Sequence, residues 1–215
     1  MNTIDDQIGI DESGKGDYFG PLVIAGVYVP SVQEDQLRAM GVRDSKTLSD
    51  AKATALATRI RSQCPHTVVA IGPERYNALH TSMKNLNRML AWGHARAIEN
   101  LLEKVDCHRV VADQFGDERF LKNALMAKGR EVTLIQKPRA EEEVAVAAAS
   151  ILARAEFLRR LQELGSKYGV TLPKGASDSV IQAAKAFVQK YGAEALGQVA
   201  KLHFRTTQSV LGNNS

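Results

Sequence analysis

The stretch Ile8-Gly9-Ile10-Asp11-Glu12-Ser13-Gly14-Lys15-Gly16-Asp17-Tyr18-Phe19-Gly20-Pro21 constrains this chain more than any other. A short apolar run ends on two adjacent carboxylates, and a glycine-flanked lysine follows at once. Ile8 and Ile10 alternate with small or polar neighbours as in a strand, where successive side chains point to opposite faces. Asp11 and Glu12 therefore converge on one site only if the backbone turns or bulges there. Ser13, Gly14 and Gly16 permit such a turn. Without a Cβ, both glycines can take positive φ, let a ligand approach and aim their N–H groups at an anion. An isolated cluster of this composition is more often a solvated turn. Here, however, Asp17 to Pro21 runs straight into a second apolar strand from Leu22 to Val29.

Helix and strand signals alternate along the rest of the chain. Pro30-Ser31 opens a short helix ending near Gly41, and Ser49 caps a helix from Asp50 to about Gln63. Thr67 to Ile71 reads as a strand, and Pro73 begins a helical turn containing Tyr76 and Asn77. From Asn85 to Val105, Leu86, Met89, Leu90, Ile98, Leu101, Leu102 and Val105 recur at helical spacing, which predicts a helix packed on a sheet. Arg109 to Ala112 is a buried-looking strand that stops at Asp113. A helix ending around Gly129 precedes another strand, Glu131 to Ile135. Glu141 to Leu164 reads as one long Ala-rich helix, Asp178 to Lys190 as another, and a last one near Ala193 to Lys201 leads into His203-Phe204-Arg205. The pattern predicts one α/β domain over residues 1–215, with helical C-terminal elements from about residue 165.

Composition narrows the setting. With 215 residues, 44% of them hydrophobic, the chain has ample material for a core. The net charge of +4 is compatible with a polyanionic partner without requiring one. Cys64 and Cys107 show no metal-ligand spacing, no charged-then-apolar leader opens the sequence, and no apolar run reaches the roughly 20 residues that span a bilayer. These features predict a soluble cytoplasmic protein with free thiols and without membrane association; a monomer is the expectation, though no sequence feature fixes it.

The first stretch resembles the signature of the type 2 ribonucleases H. Within that family, Gly14-Lys15-Gly16 and Asp17-Tyr18-Phe19-Gly20-Pro21-Leu22 resemble the ribonuclease HIII branch; the HII branch usually has Gly-Arg-Gly. Val111-Ala112-Asp113-Gln114-Phe115 resembles the segment that supplies the family's third acid, at a strand end where α/β sites collect. Ala148-Ala149-Ser150-Ile151-Leu152-Ala153-Arg154 resembles the helix that the fourth acid precedes. Glu141 is the best match for that acid, with Glu142 and Glu143 competing and Asp117 in reserve. Glu141 also has a plain reading, as an acid complementing the dipole in a first helical turn. Asp44-Ser45-Lys46 resembles a segment that holds phosphates. Asn85-Leu86-Asn87 and Trp92-Gly93-His94 match the HIII branch as well, and His94 is read as a buried histidine with a satisfied partner. For Lys174, Lys201 and His203 the expectation is substrate-side electrostatics.

The resemblance implies a ribonuclease H-like fold: a central mixed β-sheet flanked by helices, with a helical C-terminal region. It implies an endoribonuclease that hydrolyses the RNA strand of RNA/DNA hybrids by two-metal-ion catalysis, leaving 5′-phosphate and 3′-hydroxyl ends. Asp11, Glu12, Asp113 and Glu141 would be catalytic metal ligands, an all-oxygen set suited to Mg²⁺ or Mn²⁺ over zinc. Gly14, Lys15 and Gly16 would read ribose hydroxyls, with Ser45 and Lys46 on the substrate. Only seven residues precede Ile8, where ribonuclease HIII proteins usually carry a substrate-binding domain, so weak hybrid affinity is expected. HII-like incision at single ribonucleotides in duplex DNA is the alternative activity, and a non-catalytic hybrid-binding module the alternative of another class.

Overall fold

The structure is a computed structural model and describes residues 6–212. In chain order the elements are β1 (Gln7–Ser13), β2 (Leu22–Val29), α1 (Glu34–Ala39), α2 (Asp50–Gln63), β3 (His66–Ile71), α3 (Pro73–Met83) and α4 (Leu86–Leu102). There follow β4 (Arg109–Asp113), α5 (Glu118–Ala124), β5 (Thr133–Lys137), α6 (Val144–Tyr168), α7 (Asp178–Tyr191) and α8 (Arg205–Leu211). The sheet runs β3-β2-β1-β4-β5. β1 is antiparallel to β2 and parallel to β4, and β4 is parallel to β5, so the sheet is mixed, as the resemblance implies.

The packing divides the chain into two compact units. The first comprises the residues up to Ser13, Val23–Val69 and Asn85–Ala155; the second comprises Gly14–Leu22, Ala70–Lys84 and Glu156 onward.

In the first unit, the parity of β1 assigns its faces. Gly9 lies so close to α6 that a Cβ there would fall 2.1 Å from the Ala145 carbonyl carbon, and odd-numbered β1 residues therefore face α6. Val111, one strand over and in register with Gly9, packs with Ala140 and Val146 on that same face. Even-numbered residues face α4: Ile24, paired with Glu12, sits under Gly93, and Gly26, paired with Ile10, sits under Leu101. The α6 residues from Val144 to Ala149 are buried all round, and the run of alanines lets the helix lie directly on the strands.

In the second unit, Tyr168, Phe187 and Tyr191 form an aromatic cluster with ring centroids 4.9–5.4 Å apart. The Asn77 amide donates to the carbonyls of Gly197 and Ala200, and its oxygen accepts from Leu202 N–H.

Several boundaries differ from expectation. The helix at Pro73 runs eleven residues rather than one turn. α4 starts after Asn85, whose side chain accepts the N–H groups of Asn87 and Arg88, and stops at Leu102, short of Val105. α6 begins at Val144 rather than Glu141. Arg139, at φ 55, starts a separate 3-10 turn over Ala140–Glu142, and the extended Glu143 then opens the helix by accepting Ala147 N–H. The helix near Ala193 is a 3-10 segment, Glu194–Gln198, and α8 follows it unforeseen.

Candidate active site

β1 and β4 lie side by side and end on carboxylates. Ile10 pairs with Ala112, so Asp11 and Asp113 are the next residues on parallel neighbours, at the carboxyl ends where α/β sheets bind ligands. Both belong to the odd-numbered set facing α6. The bulge expected to bring Asp11 and Glu12 together is absent. The ladder with β2 continues without interruption through Asp11–Ala25, Glu12–Ile24 and Ser13–Val23, so the two side chains leave opposite faces of the strand. They are nonetheless close enough to feel each other's charge. Burial raises the Asp11 carboxyl well above the ordinary aspartate value, and the charges of Glu12 and then Asp113 raise it further. The Asp113 carboxyl is also raised, first by burial, then by Glu141 and Glu12, against a hydrogen bond from Ala140 N–H (3.2 Å) that lowers it.

Each face supplies its own support. On the α6 side, the Ser150 hydroxyl is near enough to the Asp11 carboxyl to favour its charged form, and it lies 2.5 Å from Ser45 Oγ. Arg154, one turn further along α6, donates to the Ser45 carbonyl and to Asp50 (2.6 Å), fixing the loop that carries Ser45. Asp11 Oδ1 also accepts Glu12 N–H at 2.8 Å. On the α4 side, the fully buried His94 holds Glu12, with Nε2 3.0 Å from Oε2. A carboxylate only accepts, so Nε2 donates to it, while Nδ1 is buried without a hydrogen-bond partner. The Phe115 ring meets the imidazole edge-on at 4.8 Å.

The candidates for the fourth acid sit in different environments. Glu141 acts on Asp113 electrostatically, and its carboxylate lies 4.0 Å from Lys46 Nζ. Because α6 starts later than expected, Glu141 lies outside its first turn and the helix-dipole reading fails. Glu142 is exposed, and Glu143 is bound to Lys137 at 2.7 Å. Asp117 caps α5 and pairs with Arg119 (2.7 Å), which holds its carboxyl down to about 2. Among the described residues no three acidic, histidine or cysteine side chains form a ready metal cage as they stand.

Two other expectations are corrected. Ser45 is buried with its hydroxyl spent on Ser150, so it buttresses Asp11 rather than offering that hydroxyl to a phosphate; Lys46, by contrast, is exposed. Lys201 is fully buried and cannot present its charge to a substrate. In the second unit Gly14 takes φ 85, whereas Gly16 does not need positive φ. His94 as the partner of Glu12 and Ser150 as the partner of Asp11 were not legible in spacing: both sit in apolar helical runs and differ from core residues only by a polar atom.

The ribonuclease HII family model matches residues 8–207. A ribonuclease HIII of Protochlamydia amoebophila is 48% identical over 205 residues, 95% of this chain and 68% of the relative. The crystal structure of Bst-RNase HIII in complex with Mn²⁺ superposes with TM-score 0.89 at 34% identity, covering 96% of this chain and 69% of that one. Ribonuclease H2 from Pyrococcus horikoshii, at 23% identity, shares the fold with TM-score 0.81 over 95% of this chain and 96% of that one. No helix among the described residues is long and apolar enough to cross a membrane. The chain belongs to the type 2 ribonuclease H family, of the HIII kind, and is an endonucleolytic phosphodiester hydrolase.

Proposed function

We propose that this enzyme hydrolyses the RNA strand of RNA/DNA hybrids in the cytoplasm by two-metal-ion catalysis with Mg²⁺ or Mn²⁺, releasing 5′-phosphate and 3′-hydroxyl ends. The observation that carries the proposal is the mutual charge coupling of Asp11, Glu12, Asp113 and Glu141 at the ends of β1 and β4. Like charges held together in a desolvated place are costly unless a cation joins them, and a set of carboxylate oxygens suits a hard divalent ion. Bound there, two such ions would activate the attacking water and stabilise the departing 3′ oxygen.

The protein's part is to hold the ligands. Ser150 and the Glu12 N–H fix Asp11, His94 fixes Glu12, and Ala140 N–H fixes Asp113, so little reorganisation remains when substrate arrives. Lys46, beside Glu141, supplies a cation for a substrate phosphate. The backbone at Gly14, Lys15 and Gly16 reads the ribose 2′-hydroxyl that separates RNA from DNA.

The test is cleavage of a uniform RNA/DNA hybrid beside duplex DNA carrying one ribonucleotide, with Mg²⁺ or Mn²⁺ and with neither. Metal-dependent cleavage at many positions of the hybrid supports the reading. Incision only at the single ribonucleotide would assign the HII-like activity instead, and metal-independent binding without turnover would leave a hybrid-binding module.

A further inference from the structure

A buried lysine normally has a carboxylate partner, because an unpaired charge in an apolar interior is expensive. Among the described residues no side-chain carboxylate lies within bonding distance of Lys201. Its Nζ donates to three backbone carbonyls of one short segment, Asp17 O at 2.7 Å, Gly20 O at 2.8 Å and Phe19 O at 3.5 Å, and lies 5.6 Å from the centre of the Tyr76 ring. Three acceptors match the three N–H groups of an ammonium; a neutral amine has two and would turn a lone pair towards the third carbonyl. Burial pushes the ammonium down to about 7, and the nearby Asp17 charge acts against that.

The same segment is tied at almost every other backbone group. Tyr18 N–H donates to Gly175 O, Gly175 N–H donates to the Asp17 carboxylate, Gly20 N–H donates to Val199 O, and Lys201 N–H donates to Tyr18 O. The Tyr18 hydroxyl meets Thr207 Oγ1 at 3.1 Å. Asp17–Gly20 is thus lashed to the 199–207 strip, with Lys201 at the centre through both its backbone and its side chain. The segment directly continues Gly14-Lys15-Gly16.

We propose that Lys201 is a positioning residue for substrate recognition: by gathering the Asp17, Phe19 and Gly20 carbonyls it fixes the segment that carries Gly14-Lys15-Gly16. This rests on the assignment of that tripeptide to the ribose.

The test is Lys201→Met in the full chain, which keeps the apolar stem and removes the donors. Kinetics on an RNA/DNA hybrid at saturating Mn²⁺ should show KM rising about tenfold with kcat nearly unchanged, the signature of lost uniform binding. The Mn²⁺ concentration for half-maximal rate should not move. Hydrogen exchange in residues 14–22 should accelerate while β1 and β4 stay protected. Lys201→Gln, with two neutral donors, should fall between Met and the native enzyme. A folded Lys201→Met enzyme with native KM, or one that loses kcat and Mn²⁺ affinity together, overturns the proposal. Should neither variant fold, the native protein still decides: the Tyr18 and Gly20 amides must exchange as slowly as the β1 core, and ready local opening would show that no clamp exists. Lys15→Ala in parallel separates the two ideas. If it too leaves KM native, the ribose assignment fails; if it raises KM and Lys201→Met does not, the clamp alone fails.

Discussion

Gly14 and Gly16 flank the same lysine and differ in what the backbone asks of them, which makes their alanine variants a controlled pair. Gly14 holds φ 85, and a Cβ there would lie 2.2 Å from Pro21 O and 2.8 Å from Phe157 Cδ2. The left-handed backbone costs alanine about 1–2 kcal/mol. The clash with a carbonyl, which cannot rotate away, adds about 1–3 kcal/mol of overpacking. Gly14→Ala should therefore lose roughly 3 kcal/mol, a fall in Tm of about 10 °C for a chain of this size. Gly16 has no positive φ, is exposed, and a Cβ there meets nothing within 4 Å. Its alanine should be neutral, or stabilising by about 0.4–1 kcal/mol through the unfolded state. If the Gly16 peptide is approached by the ribose, that Cβ occupies substrate space, and kcat/KM on a hybrid should drop at least about tenfold, or 1.4 kcal/mol of transition-state stabilisation. Thermal unfolding and steady-state cleavage measured on the same preparations decide the matter. Gly16→Ala with unaltered melting and unaltered kcat/KM would refute the ribose-reading assignment and leave the tripeptide a plain turn.

Asp11→Asn keeps an oxygen to accept Glu12 N–H but removes a carboxylate whose charge the folded state disfavours. The wild type loses stability as pH rises from the ordinary aspartate range through the raised Asp11 value; the variant should escape that loss and melt higher at pH 7 without metal, while turnover falls by roughly three orders of magnitude. Glu141→Gln should be severely impaired and Asp117→Asn should cleave within about twofold of native, since Asp117 caps α5 and pairs with Arg119; the reverse order in a cleavage assay would move the fourth ligand. Glu156, bonded to Arg159 and Arg160 along α6, has its carboxyl held down to about 2, so the stability it contributes is complete above the ordinary glutamate value and is lost as pH falls towards 2. Discounted for two half-exposed arginines, Glu156→Gln should cost about 1–2 kcal/mol in urea unfolding at pH 7 and flatten the acid limb.

What the sequence disclosed followed the strength of local signals. α2 runs over its expected residues because Ser49 accepts Lys52 N–H and the chain turns extended at Cys64, and β2 is a continuous apolar run rich in Val and Ile. The ends of β1 and β4 were legible because a charge halting an apolar run needs a reason. The α6 boundary was not, since the glutamates at 141–143 are good helix formers; what breaks the helix is Arg139 at φ 55 and a backbone N–H given to Asp113, both tertiary. The roles of Ser45 and Lys201 were missed for a related reason. A polar residue in a family-like motif reads as facing substrate, and whether its hydroxyl or ammonium turns inward depends on partners more than a hundred residues away.

The regular ladder through Asp11 and Glu12 alters how this site is understood. A bulge would have brought both carboxylates to one face and tied them to one helix. In the observed strand each acid reaches a different helix, Ser150 of α6 on one side and His94 of α4 on the other, and the charges meet only where the strand ends. The arrangement depends on Gly9. A Cβ there would strike the α6 backbone at 2.1 Å, and any outward shift of α6 would draw Ser150 from Asp11, then the Ser45 loop that Arg154 secures to the same helix. A single missing methyl group two residues before the first carboxylate thus sets the helix–strand distance on which the orientation of Asp11 relies.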